Sequence, residues 1–507
     1  MMSVPTSGMH DVVLEKDMSI NQRGLVDTCF EEGQYEAAAV VLDQLRSPKY
    51  KPHPSHIRHL VYIALYPPSE TEDFDADKIG SEPASPSKLL SRQQKTTLLP
   101  GRAARDAAVK LLFAFAQTNT PGALFAALPR YATGDNGAAN GIQEDTDSFI
   151  SRQSVKVRNA KDCWAILREG FVRPTVEEVQ PSKRKGSSRA RQVEEQTRTL
   201  EEEGEGQGHP APVGEHAWPV LEWIVCLLEI DQKITEASGQ PVYSPLLVSQ
   251  IPPPRSAQSA RWDIENPLDV MFHCLKESGL RHRSLGIRLL TLLVNLSATT
   301  LVDLPLFLNA IGSRLFSLTM DELGSLFAAL PSSATMLQFK VLLCRNYLTD
   351  FGAGSGQSST RPKPQARGQQ RPAPTRRKQT EASPNDTHSS SVPAASATSI
   401  VRSFPTILPS DIVSLVEKPC SADLNSSAQA LRVKLELALS YALLRRQGGP
   451  DSVADTEWQS VLRSGQLTAA FEAASGLVRK TRSKTTAAID DRAMEGMKQL
   501  LAAVSVC

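Results

Sequence analysis

The run from Leu268 to Phe351 constrains this chain more than any other stretch. Leu285, Leu289, Leu293 and Leu296 recur at near-helical spacing, and Ile287, Leu290 and Leu292 widen the apolar face beyond a single stripe. Leu306, Phe307, Ile311, Leu315 and Leu318 follow, then Leu323, Phe327 and Leu330, then Met336, Phe339, Leu343 and Tyr347. Polar punctuation separates these sets at Asn295-Leu-Ser-Ala-Thr-Thr, Ser317-Leu-Thr and Pro331-Ser-Ser. Thr319 ahead of Asp321 and Glu322 reads as a helix N-cap followed by first-turn acids that complement the helix dipole. Helices that are apolar on more than one side must be covered by others. The pattern predicts an all-α fold: stacked helical hairpins, α-solenoid-like, interrupted by long disordered inserts.

The totals narrow the class further. A chain of 507 residues holds two or three domains or one helical array, and a net charge of +1 gives no global pull toward nucleic acid or membrane. The 34 prolines are unevenly placed, which separates ordered blocks from disordered ones. The cysteines, at Cys29, Cys163, Cys226, Cys274, Cys344, Cys420 and Cys507, are scattered singly in apolar stretches without any Cys-x-x-Cys. That pattern fits structural thiols in a reducing compartment rather than zinc or redox chemistry. No secretory signal pattern is read at the N-terminus, and the runs Val220–Leu228 and Leu289–Leu296 are too short to span a membrane.

Read in order, residues 1–18 form a tail and 19–66 a helical hairpin plus one helix, stopped at Pro67-Pro68. Residues 67–97 are a polar linker, 98–173 a helical segment and 174–216 a charged insert. The block 217–351 opens on Trp218-Pro219, a proline suited to a first helical turn. Residues 352–402 are a basic Pro/Ser/Gly-rich linker and 403–507 the C-terminal helices. Within these blocks, helix is expected over Val155–Val172, and Pro241–Arg255 is expected to be an extended connector.

In the first hairpin, Gly33-x-Tyr35-x-x-Ala38 is followed by Leu42 and Leu45. This resembles the turn and second helix of a tetratricopeptide repeat, over about one repeat, residues 20–47. The resemblance implies that Ala38 sits where two helices cross closely and that Tyr35 fills the groove between them. The Trp and Leu-Gly pair expected earlier in such a repeat is missing, and no second copy recurs at a fixed period.

Few motifs suggest chemistry. His53, His56 and His59 would fan over about 120° on a helix, which suits a surface or interface better than a shared metal. Asp73-Phe-Asp-Ala-Asp begins like a calcium loop, but Lys78 and Ala84 stand where such a loop needs glycine and a bidentate acid. The glycines at Gly204, Gly206 and Gly208 and at Gly352, Gly354 and Gly356 do not run from a strand into a helix, so they read as linker. Trp218 and Trp223 point about 140° apart on a helix, so one is expected in the core and the other there too or against a neighbouring helix or partner.

Two basic clusters stand out: Lys183, Arg184, Lys185, Arg189 and Arg191, and then Arg361, Lys363, Arg367, Arg371, Arg376, Arg377 and Lys378, the second with no interleaved acid. Both suit nuclear import or contact with a phosphate backbone. The reading is a non-enzymatic scaffold, without cofactor or metal, that joins protein partners in a multisubunit nuclear complex serving transcription or chromosome maintenance. The nucleus, or nucleus and cytoplasm, is the expected location, with no membrane partner. The alternative is a nucleic-acid-binding protein tethered weakly and nonspecifically through residues 361–378. Salt-titrated binding to duplex and single-stranded DNA separates the two. The tether predicts an affinity that falls steeply with salt and disappears when those seven basic residues are neutralised; absence of binding at low salt removes the alternative.

Overall fold

The structure, a computed structural model, describes residues 15–67, 99–131, 148–173, 210–254, 260–261, 263–351, 400, 402, 404–419, 424–447 and 453–480. These residues are mostly helical, as the leucine periodicity predicts. Among them, strand is confined to Lys16–Asp17 (β1) paired in parallel with Tyr50–Lys51 (β2). The chain divides into two compact units, an N-terminal one (Met1–Ser317 with Ala328–Pro331) and a C-terminal one (Leu318–Phe327 with Ser332–Cys507). The division runs inside the 217–351 block. The expected inserts at 174–209 and 352–399, and the basic clusters within them, lie outside the described residues.

The N-terminal unit begins with α1 (Ile20–Glu31), started by a reciprocal capping box between Ser19 and Gln22. Gly33, at φ 75°, turns the chain into α2 (Tyr35–Leu45). That left-handed backbone is open to glycine at no steric cost. Next comes α3 (Pro54–Leu65), with proline at its first turn and every residue from His56 to Leu65 buried. α4 (Arg102–Thr118), α5 (Pro121–Phe125), α6 (Phe149–Asn159) and α7 (Trp218–Ala237) complete its surroundings. α3 packs against α4, α6 and α7, while α2 packs against α4.

Helix does not continue to Val172. α6 ends at Asn159, and the following segment is irregular apart from a short tight turn at Ala165–Leu167. Asp162 causes the break: its Oδ1 accepts the backbone N–H groups of Trp164 (3.1 Å) and Ala165 (2.9 Å), offering the backbone an alternative to helix. The expected connector from Pro241 contains a short helix, α8 (Pro245–Ser249), capped by Ser244. α9 (Glu265–Lys276), α10 (Leu280–Ser297) and α11 (Leu304–Leu315) finish the unit. α7 and α10 run in the same direction, because Glu222 pairs with Arg281 and Glu229 with Arg288, a seven-residue step on both helices.

The C-terminal unit contains α12 (Met320–Ala329) up to Phe327, with α13 (Ala334–Asn346), α14 (Pro409–Glu417), α15 (Leu424–Gln447), α16 (Val453–Arg463) and α17 (Gln466–Lys480). Thr319 caps α12 as expected. Its hydroxyl accepts the Glu322 N–H (3.4 Å), and its own N–H donates to the Glu322 carboxylate (3.0 Å). α13 lies along α15, and their interface buries an ion pair between Lys340 and Glu436 at 3.3 Å. No helix of the described residues is long and apolar enough to cross a membrane.

Two glycines make opposite predictions. A Cβ on Gly286 would come within 3.0 Å of the Cys274 Cβ and of the Leu275 Cδ2, so α9 and α10 touch at backbone distance there. A Cβ on Gly24, in α1, would meet nothing within 4 Å. Gly286→Val should therefore destabilise by about 1–3 kcal/mol through overpacking, and Gly24→Ala should stabilise by about 0.5–1 kcal/mol through helix propensity. Urea unfolding followed by circular dichroism reads both signs.

Candidate functional site

The sequence residues singled out for repeat packing come together in the first hairpin. Tyr35, Ala38 and Leu42 are buried on α2, Leu45 is half-buried, and Gly33 makes the turn. The Tyr35 ring lies 6.5 Å from Phe30 of α1. The opposite faces are open: Ile20 is 76% exposed, Leu25 56% and Val40 56%. On α1 this outer face also carries Asn21, Gly24 and Thr28, so it follows the i, i+4 spacing of one helical stripe.

Behind the hairpin, two of the three histidines of the expected surface or interface group are buried inside the unit. His56 is fully buried, His59 is 4% exposed, and only His53, the N-cap of α3, is partly open. Burial follows because α3 is covered on every side, including the side its polar residues occupy. His56 Nε2 bonds Asp27 Oδ1 at 2.8 Å, joining α3 to α1. The His59 ring meets Phe30 edge-on at 4.8 Å. The Nδ1 atoms of both histidines are buried without a partner among the described residues. Burial first, then neighbouring His56 and Arg58, push the His59 imidazole down to about 3 from 6.5. Burial alone would raise the Asp27 carboxyl, but the hydrogen bond and charge of His56 outweigh it and hold that carboxyl below its ordinary value. Among the described residues no three His, Cys, Asp or Glu side chains are grouped to hold a metal.

A second polar cluster, invisible in the sequence, centres on fully buried Asp162. Its Oδ2 accepts the Tyr131 hydroxyl at 2.7 Å and the Asn266 amide at 2.9 Å, while Oδ1 takes the two backbone donors given above. Gln250 lies alongside, accepting the Cys163 N–H and donating to the Pro129 carbonyl, both at 2.8 Å. Four chain segments far apart in sequence meet here, and every carboxylate oxygen is hydrogen-bonded. Such an arrangement fixes loops; it leaves no oxygen free to take a proton from a substrate. Burial, then the Asp162 hydrogen bond, raises the Tyr131 hydroxyl above its ordinary value.

The tryptophans divide between two environments. Trp223 is fully buried, whereas Trp218 is half-buried and stacks on His282, ring centroids 3.9 Å apart, with His273 at 5.6 Å. Core placement therefore holds for the first and not for the second. Cys163, Cys274 and Cys344 are buried free thiols, and Cys29 and Cys226 are half-buried. Burial pushes Cys274 up to about 12 and raises Cys163 and Cys344, which removes thiolate reactivity at neutral pH. Lys183, Arg184, Lys185, Arg189 and Arg191 lie outside the described residues, as do Arg361, Lys363, Arg367, Arg371, Arg376, Arg377 and Lys378.

His59 gives a pH prediction. An unfolded histidine takes a proton near pH 6.5, whereas the folded one does so only near 3. Stability is therefore complete above 6.5 and falls as pH drops below it, by on the order of 1 kcal/mol per pH unit. Urea unfolding at pH 7.5 and pH 5.0 should show this loss, and His59→Leu should flatten it; an unchanged slope in the variant would assign the effect elsewhere. No protein-family model, curated protein or solved structure matches this chain.

Proposed function

We propose that this protein is a non-enzymatic helical scaffold that joins protein partners, a subunit of a nuclear assembly serving transcription or chromosome maintenance. The observation that carries the reading is how its buried polar groups are used. Asp162, Gln250, the Asp27–His56 pair and the Lys340–Glu436 pair each connect separate stretches of chain. Their hydrogen-bonding capacity serves architecture. Large apolar side chains, by contrast, stand open on helix surfaces: Ile20 and Leu25 on α1, Val40 on α2, Leu280 at the start of α10 and Leu306 on α11. Exposed apolar side chains on rigid helices suit the packing of another protein's helix better than they suit chemistry.

The nuclear part of the proposal rests on the two basic clusters, Lys183–Arg191 and Arg361–Lys378, as import or phosphate-contact segments. The tetratricopeptide-like hairpin of residues 20–47 supplies the first docking face. Its geometry supports this, since the buried side of α2 leaves Val40 outward and that of α1 leaves Ile20 and Leu25 outward.

The test is affinity purification of the tagged full chain beside a variant carrying Ile20→Glu and Leu25→Glu. Both positions are exposed, so the thermal unfolding midpoint should stay within a few degrees of the parent's. A stoichiometric partner held by the parent should be lost from the variant. A parent chain that purifies alone, or a variant that keeps every partner, refutes the reading.

A further inference from the structure

The C-terminal unit contains a cleft of about 390 Å³ between α13 and α15, lined also by Phe404 and Ile407. Its walls are apolar at Leu342, Phe404 and Leu444, and two arginines, Arg402 and Arg445, line it without any carboxylate.

Arg445 is held in place by uncharged groups. Its Nη2 donates to the Tyr441 hydroxyl at 2.8 Å and to the Ile407 carbonyl at 3.3 Å, and the Tyr441 hydroxyl donates to the same carbonyl at 3.1 Å. The guanidinium carbon lies 4.9 Å from the centroid of the Tyr441 ring. These contacts orient the planar fork, and among the described residues no carboxylate pairs with it. The Arg445 Nε–H is buried and has no acceptor among the described residues. A fixed guanidinium that no carboxylate of the described residues neutralises, beside apolar walls, matches a carboxylate next to an apolar side chain.

We propose that this cleft binds an acidic segment of a partner protein, placing one Asp or Glu carboxylate on Arg445 and Arg402 and the neighbouring apolar side chain against Leu342, Phe404 and Leu444. The volume lies at the small end of the range for ligand sites, enough for one or two side chains and too little for a large cofactor. The proposal rests on the scaffold reading and adds the chemistry of what the scaffold holds.

The experiment uses the full chain and fluorescein-labelled Gly/Ser octapeptides with a central Glu-Leu or Glu-Phe pair, each beside its Gln counterpart. Fluorescence anisotropy should show the Glu peptides binding at least tenfold more tightly, with the preference shrinking as salt rises. Arg445→Met should abolish the preference. Because Arg445 also holds the Ile407 carbonyl, Arg402→Gln provides a second variant that leaves the Arg445–Tyr441–Ile407 contacts in place, and it should weaken the Glu peptides severalfold while sparing the Gln ones. Leu444→Trp, which fills the cleft, should weaken both. Equal affinity for Glu and Gln peptides, or a preference that survives both arginine variants, overturns the proposal. So does free hexanoate competing as well as the peptide at equal concentration, since that marks a small-molecule site. Partners that persist in both arginine variants but are lost with Ile20→Glu and Leu25→Glu would remove the cleft and leave the scaffold standing.

Discussion

A helix with no side facing water governs the N-terminal unit. The ten consecutive residues His56–Leu65 of α3 are all buried, so the helix cannot be stable as an amphipathic surface element. It needs α4, α6 and α7 packed around it, along with Phe30 from α1 against His59. Apolar residues on such a helix are stabilised simply by being covered. Its polar residues are the difficulty, because an unpaired buried polar group costs about 1–3 kcal/mol. His56 meets that constraint by bonding Asp27, which in turn fixes where α1 lies. His59 avoids a buried charge by remaining neutral against an aromatic edge, while its Nδ1 stays unpartnered among the described residues. The position of the first hairpin thus follows from the chemistry of the helix behind it.

Connecting segments carry as much of the fold's definition as the helices do. Asp162 joins Tyr131, Asn266 and the turn at Trp164–Ala165 around one buried carboxylate. Asn119 and Thr120 grip Glu15 ahead of β1, and the Asn119 amide also reaches the Tyr50 carbonyl at 2.9 Å. Asp231 fixes the start of α8 through Ser244 and the Leu246 N–H. The Glu222–Arg281 and Glu229–Arg288 pairs are more exposed, each worth at most about 1 kcal/mol, so they set the register of α7 on α10 more than they stabilise it. Removing one partner from a buried charged pair costs about 3–5 kcal/mol instead, which ranks the Lys340–Glu436 contact well above the surface ladder.

The helices were legible because leucine spacing reports burial directly. Leu285, Leu289, Leu293 and Leu296 fall on α10 and are all buried, and Thr319 with Glu322 marks the start of α12. The character of α3 was not legible, since periodicity counts only apolar positions. Ile57, Leu60, Val61, Ala64 and Leu65 look like one face of an ordinary amphipathic helix, and His56, Arg58 and His59 look like its wet side. Only the packing of α4, α6 and α7 reveals that the other side is covered too. The end of α6 was hidden for a related reason. Asp162 stops the helix through hydrogen bonds whose other partners lie about 30 and 100 residues away in sequence, beyond any local pattern. The pairing of α7 with α10 is equally nonlocal: a seven-residue step is visible on each helix, but nothing in the sequence says that one matches the other.

A narrower distinction, whether a charged group meets an opposite charge, separates architecture from recognition in the C-terminal unit. Asp162, in the N-terminal unit, is met by four donors, and Lys340 by Glu436 and the Phe327 carbonyl. Ser440 adds a further donor to Glu436 at 3.1 Å, so that network is closed as well. Arg445 breaks the pattern. Its orientation is fixed by a hydroxyl and a carbonyl, which stabilise a guanidinium's position without cancelling its charge. A side chain restrained in this way loses little further entropy when an anion arrives, so the interaction with a carboxylate is weakened less by ordering than it would be for a mobile surface arginine. The proposed acidic segment would supply there the opposite charge that the described residues do not.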